Sequence, residues 1–275
     1  MSFTTADVVK LRKVTGAGMM DCKNALKDAE GDFDNALQII REKGKAIANK
    51  RADRDAAEGV VLAKVTADNK FGAIVVLNCE TDFVAKNDKF VAFVDSILDV
   101  ALANKAGNLD TLKALELDGT IIDTLVTEQT GVIGEKLELS YYKSISAETV
   151  IGYIHPGNKL STLVGFNQGE VEIQVAKDIA MQIAAMAPVA IDKDSISQDV
   201  IDKEIEIAKE KYRQEGKPEA MLDKIAQGSL NKWFKDVTLL NQTYVKDGKI
   251  SVKEFLKQSN KELTVTAFDR YTLDV

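Results

Sequence analysis

AEGVVLAKVTADNKFGAIVVLN, residues Ala57 to Asn78, and AETVIGYIHPGNKLSTLVGFN, residues Ala147 to Asn167, decide how this chain folds. Both stretches open on Ala-Glu, run through an apolar strand, turn at Asn-Lys and end a second strand at Asn. A gap of one residue brings them into register. Apolar or alternating strands bounded by turn residues predict a β-hairpin in each. Each hairpin is followed by an amphipathic helix. In the first the stripe is Phe90, Phe93, Val94, Ile97, Leu98 and Ala101; in the second it is Ile179, Ile183, Ala184 and Met186. The repeat therefore predicts a core of two related subdomains, each an antiparallel sheet with helices on one face.

Upstream, three short helices punctuated by glycine are predicted. Val8, Leu11 and Arg12 share a face of the first, which stops near Gly16-Ala17-Gly18. Cys22, Ala25, Leu26 and Ala29 follow on a second that starts near Met19 and stops at Gly31. Asp32 caps a third with Phe33, Ala36, Leu37 and Ile40 inward, stopping at Gly44. REKGKAIANKRADR, Arg41 to Arg54, carries six basic and two acidic residues. Without interleaved aromatics for stacking it reads as a solvated helical linker rather than a nucleic-acid contact. Downstream, Ile201, Ile205, Ala208 and Tyr212 lie at helical spacing. Gly216 and Pro218 punctuate, and Met221, Leu222 and Ile225 begin a second helix, giving an antiparallel hairpin with a narrow seam that projects from the body. The fold class is α+β, with expected units at 1–54 (bundle and linker), 55–143 (first subdomain), 144–190 with 230–275 (second), and 191–229 (inserted coiled-coil hairpin).

Composition removes most enzyme classes. The chain of 275 residues holds one histidine, His155, and two cysteines, Cys22 and Cys79. These give too few soft ligands for a zinc site and no context for a nucleophile triad. Neither GxxxxGK[ST] nor GxGxxG occurs. A net charge of −7 disfavours nucleic acid as the main partner. No apolar run is long enough to span a bilayer. The N-terminus lacks a signal or transit pattern, so Met1 is expected to begin the working protein and its place to be cytoplasmic.

Between the first hairpin and its helix lies Thr81-Asp82-Phe83-Val84-Ala85-Lys86-Asn87-Asp88. Local chemistry alone reads it as a capped turn. Thr81 or Asp82 turns the chain, Phe83 tucks back as a hydrophobic staple, and Asn87 or Asp88 caps the next helix.

TDFVAKND after Asn-Cys-Glu nevertheless closely resembles the signature of the bacterial elongation factor Ts family. LRKVTGAGMMDCKNAL, Leu11 to Leu26, is similar to that family's other signature. YIHPGNKLSTLVGF, DIAMQIAAMAP and GKPEAMLDKIAQGSLNKWFKDVTLLNQTYVKD resemble further family segments in the expected order. The resemblance spans nearly the whole chain. It implies a ubiquitin-associated-like helical bundle, a core of two related subdomains and a protruding coiled coil. It implies a guanine-nucleotide exchange factor that performs no covalent chemistry and needs no cofactor or metal of its own. Its partner would be elongation factor Tu, GDP-bound and nucleotide-free, with no nucleic acid or membrane contact.

By the same resemblance, Asp82 and Phe83 intrude near the partner's Mg²⁺ site and the whole segment Thr81 to Asp88 binds it. Met19 and Met20 are the apolar tip of the bundle, and His155 faces the GTPase domain. For the coiled-coil hairpin, which the sequence does not assign, a homodimer contact with a second copy, a contact with the partner and neither of these all stay open. Two departures are expected: no C-terminal helical module after Arg270-Tyr271-Thr272-Leu273-Asp274-Val275, and Ser140-Tyr141-Tyr142 where many relatives carry a basic pair. The rival readings are a binding scaffold built on the helical bundle and an enzyme using Cys79 or the Asp82–Asp88 carboxylates.

Overall fold

The computed structural model describes residues 3–274; Met1, Ser2 and Val275, which the expected units include, lie outside the described residues. Three helices come first: α1 (Thr5–Thr15), α2 (Met19–Asp28) and α3 (Phe33–Arg51). Thr4 and Asp7 form a reciprocal capping box on α1, and Gly16 ends it in the left-handed region at φ 71°. Asp32 accepts the Asn35 N–H at 2.8 Å to start α3. Val8, Leu11, Cys22, Ala25, Leu26 and Ala36 close the small core between them.

The expected helix stop at Gly44 is corrected; the stretch Arg41 to Arg54, expected as a solvated helical linker, is helical to Arg51 and largely exposed but rests on another helix at Arg41 and Gly44. α3 continues through Gly44 to Arg51 as one helix of 19 residues. A distant contact explains it. Gly44 meets Gly131 of α7 (Ile122–Ile133), and a Cβ on Gly131 would lie 2.3 Å from the Gly44 Cα. Two helices lacking Cβ atoms at their crossing can touch backbone to backbone, which outweighs the cost of about 1 kcal/mol of an interior helical glycine. Arg41 adds an ion pair with Glu128 of α7 at 2.8 Å.

After β1 (Glu58–Val65) and β2 (Phe71–Cys79) come a single-turn helix α4 (Asp82–Ala85), the long α5 (Asp88–Asn104), α6 (Leu109–Ala114), the small ladder β3 (Glu116–Leu117) and β4 (Thr120–Ile121), and α7. β5 (Glu138–Ser146) completes an antiparallel sheet of order β1-β2-β5. β6 (Thr149–Ile154), β7 (Leu160–Phe166) and the last strand β8 (Val265–Thr272) form a second, of order β6-β7-β8, backed by α8 (Ile173–Met186) and α11 (Val252–Ser259). Each sheet packs one face on helices and the other on its counterpart. Along β2, Phe71, Ala73, Val75 and Leu77 face the helix side, whereas Ile74 and Val76 join Val61, Ile145, Val150 and Leu163 between the sheets. Covering both faces is what allows β2 to be apolar throughout.

The hairpin turns brace one another. Asn69 O accepts the Val150 N–H at 2.6 Å, and Asn158 O accepts the Val61 N–H at 2.7 Å. Lys70 pairs with Glu148 at 3.6 Å and Lys159 with Glu58 at 3.0 Å. Both asparagines sit in the left-handed region, at φ 54° and 57°, as Asn in a tight turn tolerates.

The helical hairpin is α9 (Gln198–Gln214) with α10 (Glu219–Val237), turned at Gly216 with φ 78°. Its seam closes on Ala208, Leu222, Ala226, Leu230 and Phe234. Met221, expected in the seam, is 49% exposed, and Met186, expected in the α8 stripe, is also exposed. Among the described residues no helix is long and apolar enough to cross a membrane.

Candidate functional site

β2 delivers the chain to the candidate segment from a buried position. Cys79, its last residue, is fully buried and donates its thiol proton to Thr81 O at 3.2 Å. Burial, followed by the charge of Glu135, pushes that thiol up to about 12. It is held protonated at neutral pH, so it is a poor nucleophile.

Thr81 caps α4, its Oγ accepting the Val84 N–H at 3.4 Å. The same residue donates twice to one carboxylate: its N–H to Glu135 Oε2 at 3.0 Å and its hydroxyl to Glu135 Oε1 at 2.7 Å. Glu80 accepts the Lys136 N–H at 2.6 Å and an Arg51 guanidinium contact at 2.7 Å, with Arg54 at 3.5 Å. The backbone bond from Lys136, then the Arg51 contact, holds the Glu80 carboxyl below the usual range. Through Arg51 the end of α3 is thus tied to the residue before Thr81.

Along the single turn the side chains part. Ala85 is buried and Val84 packs against the sheet core. Asp82 pairs with Lys86 at 2.6 Å; that hydrogen bond foremost, and the charges of Lys86 and Lys159, hold its carboxyl low. Asn87 caps α5 by accepting the Lys89 N–H at 2.9 Å, and Asp88 opens that helix, where a carboxylate suits the positive end of the dipole. Phe83 does not tuck back. It is 84% exposed, so the staple expected from local chemistry is absent. The ring is thus left in water on a turn hydrogen-bonded at both ends, with its apolar area free to be buried against another surface.

The second hairpin turn comes to the same neighbourhood. Lys159, whose charge acts on Asp82, bridges Glu58 and, at 3.6 Å, Asp274. His155 in that turn is exposed, with Nδ1 at 2.9 Å from the Tyr153 hydroxyl. Met19 and Met20 stand at the start of α2, 41% and 62% exposed, and α2 packs on α1 and α3. No hydrogen bond or ion pair among the described residues joins these methionines to the segment Thr81 to Asp88. Ser140-Tyr141-Tyr142 points inward instead of presenting charge. Ser140 bonds Asn78 at 2.5 Å, Tyr141 donates to both Asp269 oxygens at 2.8 and 2.9 Å, and Tyr142 donates to Ala106 O at 2.7 Å.

Reading the residues alone gives Glu80, Glu135, Arg51 and Lys159 no role at this segment, because each acts across a long sequence separation. Among the described residues no three His, Cys, Asp or Glu side chains group as metal ligands would.

Comparison with known proteins places this sequence in a wider set. The family model described as elongation factor TS matches residues 80–274. The elongation factor Ts of Azobacteroides pseudotrichonymphae is 50% identical over 275 residues, covering all of both chains. That of Porphyromonas gingivalis is 52% identical over 276 residues, covering all of this chain and 99% of the relative. That of Flavobacterium psychrophilum is 46% identical, covering 99% of each.

Proposed function

This chain belongs to the elongation factor Ts family, and from that premise we propose that it binds elongation factor Tu carrying GDP and accelerates GDP release so that GTP can bind. The observation that supports this reading best is Phe83, a ring exposed on a turn whose flanks are hydrogen-bonded into the core. Tight nucleotide binding depends on a preorganised phosphate loop and metal ligands. A rigid aromatic wedge driven beside them, with Asp82 as a directional polar neighbour, displaces that geometry without touching a covalent bond. The remaining residues of the segment, Thr81 and Val84 to Asp88, shape and hold the wedge. Met19 and Met20 supply an adaptable apolar grip from the helical bundle, and His155 contacts the partner from the second hairpin turn.

The two hairpins are read as copies of one unit, of which only the first carries the wedge. The work is done in the cytoplasm and needs no cofactor. Pairing with a second copy through the α9–α10 hairpin would draw on Ile207 and Met221, both exposed there.

The energetics are those of reciprocal coupling: whatever factor the protein takes from nucleotide affinity, nucleotide takes from its own. A coupling of about 4 to 6 kcal/mol corresponds to roughly a thousand- to ten-thousand-fold or more. The test is direct. Elongation factor Tu loaded with fluorescent GDP is mixed with the chain and excess GTP, and release is followed by stopped flow. Acceleration rising with factor concentration is expected; no acceleration at micromolar factor sinks the proposal.

A further inference from the structure

We propose that Glu135 is the positioning residue that sets the angle at which Phe83 leaves the surface; this rests on the exchange role above. α4 has four residues, too few to hold their own direction, so its orientation is inherited from its flanks. The C-terminal flank is an ordinary Asn87 cap on α5. The N-terminal flank is unusual. Both donors of Thr81, N–H and Oγ–H, end on the two oxygens of one carboxylate 54 residues away. With its proton committed to Glu135, the hydroxyl can use a lone pair to accept the Val84 N–H. The same contact that fixes Thr81 therefore also starts the turn bearing Phe83.

Glu135 reaches Thr81 because α7 ends abruptly. Gly134 adopts φ 81° with its N–H on Thr130 O, and the Thr130 hydroxyl then catches the Leu137 N–H at 3.2 Å. The chain reverses there, and residues 135–136 run beside 80–81. Glu135 takes the donors of Thr81, while the Lys136 N–H is taken by Glu80. With both oxygens occupied, Glu135 is committed inward to the turn. Charge-assisted hydrogen bonds of this kind are the strong and directional ones.

The test uses the full-length chain and elongation factor Tu loaded with fluorescent GDP, reading the maximal release rate at saturating factor and the affinity for nucleotide-free partner separately. Glu135→Ala is expected to slow maximal release about tenfold, the scale of one lost charged hydrogen bond, with affinity changed less than about twofold. In a Phe83→Ala background the same substitution is expected to change nothing further, because a residue acting only through the ring has nothing left to aim.

A Glu135→Ala rate equal to wild type overturns the positioning role. So does an undiminished tenfold loss in the Phe83→Ala background, which would mean an independent contact or general loosening. If Glu135→Ala melts early, Glu135→Gln, which retains one acceptor oxygen, takes its place. About threefold slowing is then expected, again absent without Phe83, and no slowing overturns the proposal. A wild-type chain that fails to speed release brings down the exchange role itself, a result distinct from all of these.

Discussion

The two hairpins share the hydrogen-bond pattern of their turns and put it to different use. In the first turn the Thr66 N–H bonds Phe71 O at 2.8 Å and the Asn69 N–H bonds Thr66 O at 2.9 Å; in the second, His155, Leu160 and Asn158 repeat both bonds at 2.8 and 3.0 Å. The side chains differ. Thr66 folds its hydroxyl back onto Phe71 O and Asp68, locking its own turn, whereas His155 offers an imidazole to solvent. The exits differ as well. β2 runs directly into the Thr81 turn and its exposed ring, while β7 ends at Phe166 and leads into Asn167, whose side-chain amide and carbonyl oxygen are spent on Glu262 and Thr264 beside β8. What is common to the two hairpins carries the framework, and what differs between them faces outward.

That division can be broken at either end. Leu163, fully buried between the sheets, belongs to the common framework, and Leu163→Ala is expected to cost about 3 kcal/mol of stability in urea unfolding. Phe83→Ala should do the reverse. We expect an unchanged urea midpoint with maximal GDP release slowed about a hundredfold, the equivalent of the roughly 2–3 kcal/mol available from burying one aromatic side chain. Equal losses in complex affinity and release rate would mean adhesion rather than a wedge.

At an intermediate level, Asn69→Ala and Asn158→Ala each place a Cβ-bearing residue without a turn-forming amide in the left-handed region. Each should cost about 1 kcal/mol, and equally, if the turns are equivalent supports. The smallest effect is a transplant. His155→Thr should leave stability within about 0.5 kcal/mol, as surface changes usually do, and slow release only a few-fold; a change in stability without one in release would remove His155 from the contact surface.

Much of this was legible in the sequence because it is written locally. Asn-Lys between two apolar runs gives the turn in both hairpins, Asp32 and Asn87 announce helix starts, and Gly16 and Gly216 announce ends. The failures have a shared physical cause. Gly44 carries the same local stop signal as Gly16, yet α3 passes through it because Gly131, far along the chain, needs a neighbour without a side chain. Phe83 has the right spacing for a staple, and only the assembled core reveals that Val84 and Ala85 are the residues turned inward. Glu80 and Glu135 look like any surface carboxylates until residues 135–136 are brought alongside 80–81. The role proposed for the segment Thr81 to Asp88 rests on resemblance, since local chemistry favours a plain capped turn.

The cross-bracing of the turns has one more consequence. β1 and β6 are outer strands of their sheets, and outer strands leave a row of unpaired amides on which another chain can add. Here Asn158 O occupies the Val61 amide of β1, and Asn69 O occupies the Val150 amide of β6. Each hairpin thereby takes up an amide on its neighbour's open side, which leaves that margin one donor fewer to offer an added strand.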